Sequence, residues 1–141
     1  MEIDRNGLEV LDRAECLRLL AGASLGRLGV TSGALPTVLP VNFRLVDDRV
    51  VFRTGVGSKL QAATHNTVVA FEVDEMDPVW HTGWSVVVTG VAREITDPDE
   101  LAALEPTTIP HWAPDHATHL VEVRTEMMSG RRVRAGRVPS L

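Results

Sequence analysis

Apolar and polar residues alternate over several short stretches of this chain, as in β-strands with one buried face. The alternation is clearest at residues 49–54 and 120–124, while β-branched residues dominate 68–73 and 85–95. Turn residues such as Ser32-Gly33 and Asp47-Asp48 separate these stretches. Six strands are predicted, at residues 26–31, 35–46, 49–54, 68–73, 85–95 and 120–124.

Three short helices are predicted from their start signals. Asp12 and Glu15 form a capping box, and Gly22 can end the helix that follows. Ser58 can cap a helix that runs to about His65, and Pro98 can open a third through Leu104. Because strands and helices do not alternate regularly, the pattern favours a mainly β fold: an antiparallel, six-stranded barrel with helices at its openings.

Prolines and a glycine inside the predicted strands indicate where those strands lie in the sheet. Pro36 and Pro40 cannot donate hydrogen bonds, so the strand at 35–46 is expected at a sheet edge or to be bulged. Gly90 interrupts the longest strand, where a bulge or a close backbone approach is expected.

Length and composition narrow the function classes. The 141 residues fit one domain, 1–141, and the net charge of -5 argues against a nucleic-acid-binding protein. Cys16 is the single cysteine, so no internal disulfide is possible, and it is expected to be buried and inert. No signal sequence or membrane-length apolar run is present, which predicts a cytoplasmic protein that does not span a membrane.

The chemically most informative segment is the hinge between the third strand and the second helix. Arg53 and Thr54 end the strand, two glycines follow, and Ser58 and Lys59 open the helix. Helix N-termini, cations and hydroxyl donors together suit a phosphate group. The alternative is a capped helix after a glycine turn, with two solvated cations. Motifs for P-loop, serine hydrolase and zincin chemistry do not occur in the sequence.

Several segments, in their order and spacing, resemble the pyridoxamine 5′-phosphate oxidase-like family of flavin-binding split barrels, in particular its short actinobacterial-type members. The resemblance covers most of the chain and implies a six-stranded antiparallel split barrel of the FMN-binding type. The segments that carry it are 12–20, Gly26-Arg27-Leu28-Gly29-Val30, Pro40-Val41-Asn42-Phe43, Phe52-Arg53-Thr54, Gly57-Ser58-Lys59-Leu60, 69–74, Thr82-Gly83-Trp84-Ser85-Val86 and Gly130-Arg131-Arg132.

The resemblance implies a homodimer with two cofactor sites at its interface, binding FMN or alternatively a deazaflavin. It assigns three groups of cofactor-binding residues and a looser fourth match. These are Arg53, Thr54, Ser58 and Lys59 for the phosphate, Pro40, Val41 and Asn42 beside the ring, Trp84 and Ser85 from the partner chain, and Trp112 as a late aromatic near the ring.

The implied function is a flavin- or deazaflavin-dependent oxidoreductase acting on a small-molecule substrate that the sequence does not identify. The first alternative is a carrier without turnover, or a haem-binding protein that uses His65 or the late histidines. The second is an interaction domain that has lost its ligand.

The remaining polar clusters are expected to be unspecialised. The late group of His111, Asp115, His116 and His119 is interpreted as a polar loop and not as a metal site. The acidic residues at 74–77 are interpreted as a solvated turn, and the basic run at 131–137 as a solvated C-terminus.

Overall fold

The computed structural model describes residues 1–109 and 118–134. Its described part is mainly β, with every pair of strands antiparallel. No helix within these two ranges is long and apolar enough to cross a membrane. The elements are β1 (Glu2–Ile3), β2 (Glu9–Val10), α1 (Arg13–Ala21), β3 (Leu25–Ser32), β4 (Leu35–Asn42), β5 (Arg44–Val46), β6 (Arg49–Gly55), α2 (Lys59–Ala63), β7 (Thr67–Asp77), β8 (Thr82–Glu94), α3 (Pro98–Leu104), β9 (Thr118–Arg124) and β10 (Met127–Val133).

The long strand β8 is the point at which the sheet divides. One of its edges pairs with β7 throughout, whereas the other pairs with β10 along residues 83–89 and with β9 along residues 92–94. Gly90 lies at the junction, where an added Cβ would be 3.2 Å from the carbonyl oxygen of Arg124. The close backbone approach expected at this glycine is therefore confirmed. This division gives the split barrel predicted as the fold class.

Alternating side chains of the strands fill the barrel interior. Phe43, Phe52 and Phe71 are fully buried there, and the rings of Phe43 and Phe71 meet edge to face with centroids 4.8 Å apart. Helix α1 contributes Cys16 and Leu20 to the same core. The expectation that Cys16 is buried is confirmed, and burial raises the pKa of its thiol. A smaller cluster under α3 joins Val51, Ile95, Leu104 and Ile109.

The proline-containing strand lies at the edge of the sheet, as predicted, but it is shorter than predicted. β4 ends the strand order and, in the described part of the chain, pairs only with β3. The predicted strand at 35–46 is divided at Phe43, whose buried ring is followed by the separate hairpin strand β5.

Two polar segments differ from the expectation. The acidic residues Asp74, Glu75 and Asp77 lie in strand β7, not in a turn, and the turn falls at 78–81. Arg131 and Arg132 belong to strand β10, which pairs with β8, so this part of the basic run is not a solvated tail. Strands β1, β2 and β10 were not predicted, and the predicted strand at 35–46 is two strands, so the described part has ten strands instead of six.

Candidate functional site

Strand β6 passes into helix α2 through a tight hinge at residues 55–58. Gly57 has a φ of 74°, a conformation that glycine adopts without steric cost. Ser58 caps α2, because its Oγ accepts a hydrogen bond of 3.0 Å from the backbone N–H of Gln61. The amide side chain of Gln61 in turn accepts a bond from the N–H of Gly57. The predicted cap is confirmed, and the N–H groups of Gly57 and Ser58 in the hinge are already bonded, to Gln61 and to the carbonyl oxygen of Gly55.

Thr54 carries the most unusual polar atom of the hinge. Its side chain is fully buried, and its Oγ1 has no hydrogen-bond partner among the described residues. A buried hydroxyl without a partner costs free energy, about 1–3 kcal/mol. The hydroxyl therefore calls for a partner, and a bound ligand could supply it.

Arg53 points to the opposite side of the strand from Thr54, as successive strand residues do. Its Nε donates to the carbonyl oxygen of Ile109 at 3.0 Å, and its Nη1 donates to Oγ1 of Thr118 at 3.1 Å. The guanidinium thus links Ile109 and Thr118, the residues on either side of the segment 110–117. Its Nη2 has no acceptor within residues 1–109 and 118–134.

Lys59 is exposed at the first position of α2. It forms no ion pair with the residues that the structure describes. It is also the only lysine in the sequence. The structure therefore brings Thr54, Ser58 and Lys59 together around one hinge and places Arg53 on the other face of the strand.

The three residues predicted beside the ring lie on the edge strand β4. Pro40 is exposed and Asn42 is half-buried on the outer face, whereas Val41 packs into the core at 5% exposure. On its free edge, β4 offers main-chain groups that pair with no other described strand.

Trp84 and Ser85 lie next to each other on β8 and point to opposite faces. Trp84 is half-buried against the core and borders an open cleft of about 610 Å³. Ser85 stands on the outer face, beside Asp74 of β7 in the strand pairing. The other residues lining the cleft are Glu9, Glu75, Asp77, Thr82, Gly83, Arg132, Val133 and Arg134.

The two arginines at this cleft, Arg132 and Arg134, are ion-paired, which the sequence did not indicate. Arg134 donates to Glu9 at 2.8 Å and lowers the pKa of that carboxyl. Arg18, with a smaller contribution from Arg132, lowers the pKa of Glu15 to about 2. Since Arg132 is 2.6 Å from Glu15, the pair joins β10 to α1.

The histidine predictions are only partly within the described residues. Trp112, His111, Asp115 and His116 lie outside them. His119 is the second residue of strand β9, opposite Thr54, and its Nδ1 contacts Oε1 of Glu94. Within residues 1–109 and 118–134, no three His, Cys, Asp or Glu side chains are grouped to hold a metal ion.

A second charged cluster, which no sequence motif predicts, lies on the outer face of β3 and β7. Arg27 Nη1 is 3.2 Å from both Glu72 Oε1 and Asp74 Oδ2. Burial raises the pKa of Glu72 to about 7, assisted by a hydrogen bond and like charge from Asp74 and opposed by Arg27. Its signal in the sequence is only the spacing of two carboxylates at i and i+2 on one strand.

Comparison with known proteins gives the chain its family. The family model for pyridoxamine 5′-phosphate oxidase matches residues 12–132. An uncharacterised protein of Mycobacterium tuberculosis is 41% identical over 128 residues, covering 87% of this chain and 84% of the relative.

Two solved structures support the assignment. The FAD-binding protein of Mycobacterium smegmatis is 37% identical, with a TM-score of 0.78 over 89% of this chain and 100% of the other. A conserved protein of unknown function from Corynebacterium diphtheriae is 33% identical, with a TM-score of 0.75 over 90% and 98% of the two chains. This protein belongs to the pyridoxamine 5′-phosphate oxidase family.

Proposed function

We propose that the protein is a flavin-dependent oxidoreductase that binds a phosphate-bearing flavin at the hinge between β6 and α2. The observation that carries the proposal is the buried, unpartnered Oγ1 of Thr54 beside the cap of α2. The FAD-binding protein of M. smegmatis supports a flavin as the ligand. FMN is our first candidate, and FAD and a deazaflavin are the alternatives that the binding experiment separates.

The residues of the hinge suit a phosphate chemically. Lys59 offers an exposed positive charge, and Thr54 and Ser58 offer hydroxyl groups. In this proposal Arg53 has two roles. Its Nε and Nη1 bond Ile109 and Thr118, and its Nη2 binds the phosphate. One guanidinium can serve both purposes because it has five N–H donors.

The ring of the flavin would lie along β4. Edge-strand main-chain groups near Pro40 and Asn42 would bond its polar edge, and Val41 would hold the strand to the core. Trp84 and Ser85 of a second chain would complete the site, so the proposed working unit is a homodimer. When bound, the flavin supplies hydride or electron transfer. The chain itself supplies phosphate binding, ring orientation and exclusion of water.

Turnover of a small substrate distinguishes this function from a cofactor carrier, which would use the same residues. Among the described histidines, His65 and His81 are exposed and His119 is engaged by Glu94. The described residues therefore favour a flavin over haem, although the histidines at 111 and 116 lie outside them.

A titration tests the proposal directly. The purified protein is titrated with FMN, FAD and a deazaflavin, and binding is followed by flavin fluorescence. Lys59→Ala should weaken binding about tenfold or more, since a charge-assisted contact contributes about 1.5–3 kcal/mol. Arg5→Ala, which removes an exposed cation in the first turn of the chain, should leave the affinity unchanged.

Because the sequence has a single lysine, chemical labelling gives a second, independent test of the same site. An amine-reactive reagent can modify only Lys59 and the N-terminal amine, and peptide mass analysis separates the two. The bound flavin should protect Lys59 and leave the N-terminus reactive. Binding of none of the three flavins, or equal labelling of Lys59 with and without the flavin, would reject the proposal.

A further inference from the structure

Two buried side-chain oxygens at one end of the barrel have no hydrogen-bond partner within residues 1–109 and 118–134. They are Oγ1 of Thr54, already described at the hinge, and Oε1 of Glu94 on β8. Both belong to residues that flank His119 of β9. Buried polar atoms normally have a partner, so two unpartnered oxygens around one side chain point to a role for that side chain.

The strand pairing places His119 between the two residues. β9 lies between β6 and β8, and Thr54 of β6 is directly opposite His119. Opposed residues of paired strands project from the same face, with Cβ atoms about 4.5–5.5 Å apart. From the other side, Oε1 of Glu94 contacts Nδ1 of the imidazole, although not in hydrogen-bond geometry. Thr54, His119 and Glu94 therefore form a row across the inner face of three neighbouring strands.

Burial differs along this row. Thr54 is fully buried, whereas the side chains of Glu94 and His119 are 25% and 36% exposed. The imidazole therefore reaches water, while the two oxygens beside it are shielded from water.

Few other charged groups of the described residues face His119. On β6, Arg53 points to the opposite face, and on β8, Arg93 pairs in register with Glu122 on that same opposite face. Helix α2 packs against β6, and its one charged residue is Lys59. Glu94 is therefore the carboxylate that holds the ring.

We propose that His119 is a positioning residue of the phosphate site, held by Glu94 and acting through the hydroxyl of Thr54. A hydroxyl accepts one hydrogen bond while it donates another. With phosphate bound, Nδ1 of His119 donates to Glu94, Nε2 donates to Oγ1 of Thr54, and that hydroxyl donates to a phosphate oxygen. The inference rests on the proposed function and adds a residue from outside the hinge.

This arrangement has a consequence for protons. An imidazole that donates through both nitrogens is positively charged, and here its charge lies between the carboxylate of Glu94 and the phosphate. Histidine exchanges this proton near neutral pH, so phosphate binding should take up a proton from water wherever the free ring is neutral. A group that binds its proton more tightly in the complex favours the complex at low pH, and the affinity should fall as the pH rises.

A pair of ligands separates a phosphate contact from a structural role. FMN and riboflavin share one ring system, and only FMN carries a phosphate. His119→Gln should weaken FMN binding about tenfold, since a charge-assisted hydrogen bond is lost, and should leave riboflavin binding unchanged. His81→Gln, which changes an exposed histidine in the turn between β7 and β8, should alter neither affinity. Equal weakening of both ligands by His119→Gln would overturn the proposal.

A double-mutant cycle tests whether the imidazole acts through Thr54. In the Thr54→Val background, His119→Gln should cause no further loss of FMN affinity, because the hydroxyl that joins the ring to the phosphate is absent. Additive losses would contradict the proposed route.

A pH profile tests the charge of the ring. Between about pH 7 and about pH 9 a phosphate monoester keeps one charge state, since its second pKa is about 6. Wild-type affinity for FMN should fall about tenfold over this range, because one bound proton contributes up to about tenfold per pH unit. His119→Gln should show little of this change, and equal profiles in the two proteins would overturn the inference.

Inorganic phosphate, titrated against the wild type and His119→Gln, distinguishes failure of this inference from failure of the proposed function. A chain that bound phosphate in a His119-dependent manner but bound no flavin would reject the flavin function and support the inference. A flavin affinity independent of His119 would overturn the inference alone. Binding of neither ligand would overturn both.

Discussion

Two buried threonines differ in what their hydroxyl groups bond. Thr64 Oγ1 donates to the carbonyl oxygen of Leu60 at 2.7 Å, whereas Thr54 Oγ1 has no partner among the described residues. Thr64→Val should therefore lower the free energy of unfolding by about 1 kcal/mol, and Thr54→Val should leave it unchanged or raise it. Urea denaturation of the flavin-free variants measures both values.

The same Thr54→Val variant tests the ligand role of the hydroxyl. Its flavin affinity should fall although the fold is no less stable, because a donor to the phosphate has been removed. If affinity were retained while Thr64→Val behaved as expected, the hydroxyl of Thr54 would have no part in the cofactor site.

Glu15 links helix α1 to strand β10 and should contribute to acid stability. Its pKa is lowered to about 2, first by Arg18 and then by Arg132. A depressed pKa stabilises the fold above the unfolded value of 4.5, and that stability is lost as the pH falls from 4.5 towards 2. Glu15→Gln should therefore make the urea midpoint less dependent on pH in this window.

The control is Glu100→Gln, which changes an exposed glutamate that has no ion pair with described residues. It should lose stability on acidification as the wild type does. Equal pH profiles for Glu15→Gln and the wild type would show that the pairs of Glu15 with Arg18 and Arg132 contribute nothing measurable.

At the residue scale, local signals were predictable from the sequence and distant partners were not. Ser58 as a cap follows from its position before the helix, and the structure confirms it. The partners of Arg53 are Ile109 and Thr118, which lie 56 and 65 positions away, so no local pattern reveals them. The cluster of Arg27 with Glu72 escaped notice for the same reason.

At the scale of elements, strands β3 and β7 pack closely because Gly26 on β3 leaves room for the ring of Phe71 on β7. A Cβ on Gly26 would overlap the ring of Phe71, whereas a Cβ on Gly29 would lie 3.6 Å from Cβ of Ala70, an ordinary contact. Gly26→Ala should cost about 1–3 kcal/mol of unfolding free energy through overpacking. Gly29→Ala should stay within about 0.5 kcal/mol of the wild type.

Thermal and urea unfolding of the two variants provides the comparison. Both carry the same chemical change in one strand, so helix or strand propensity does not distinguish them. Equal losses in both would indicate that the strand conformation, and not the ring of Phe71, requires glycine.

The strands that the sequence did not predict share a physical cause. β1 and β2 have two residues each, too few to show a period. β10 contains Gly130, a residue type depleted in strands, and its two arginines open a basic run that is typical of a solvated tail. Its formation depends on pairing with β8 and on acidic residues from the start of the chain, such as Asp4, 2.9 Å from Arg131. Tertiary contacts therefore outweigh the local signal.

For the whole molecule, the central prediction is that the cofactor site and the proposed homodimer depend on each other. Val38 is 67% exposed on the outer face of β4, two residues from Pro40. A charge there meets water in the single chain but would be buried in the proposed dimer, at a cost of several kcal/mol. Val38→Asp should therefore leave the chain folded, convert dimers to monomers and lower flavin affinity.

Val79→Asp is the matched control, because Val79 is 75% exposed in the turn between β7 and β8. It should remain dimeric and bind flavin normally in sedimentation and fluorescence titrations. A monomeric Val38→Asp variant with full affinity would place the whole flavin site within one chain. A dimeric variant with reduced affinity would instead indicate that Val38 contacts the ring directly. Only joint loss of both properties supports a site that two chains must build together.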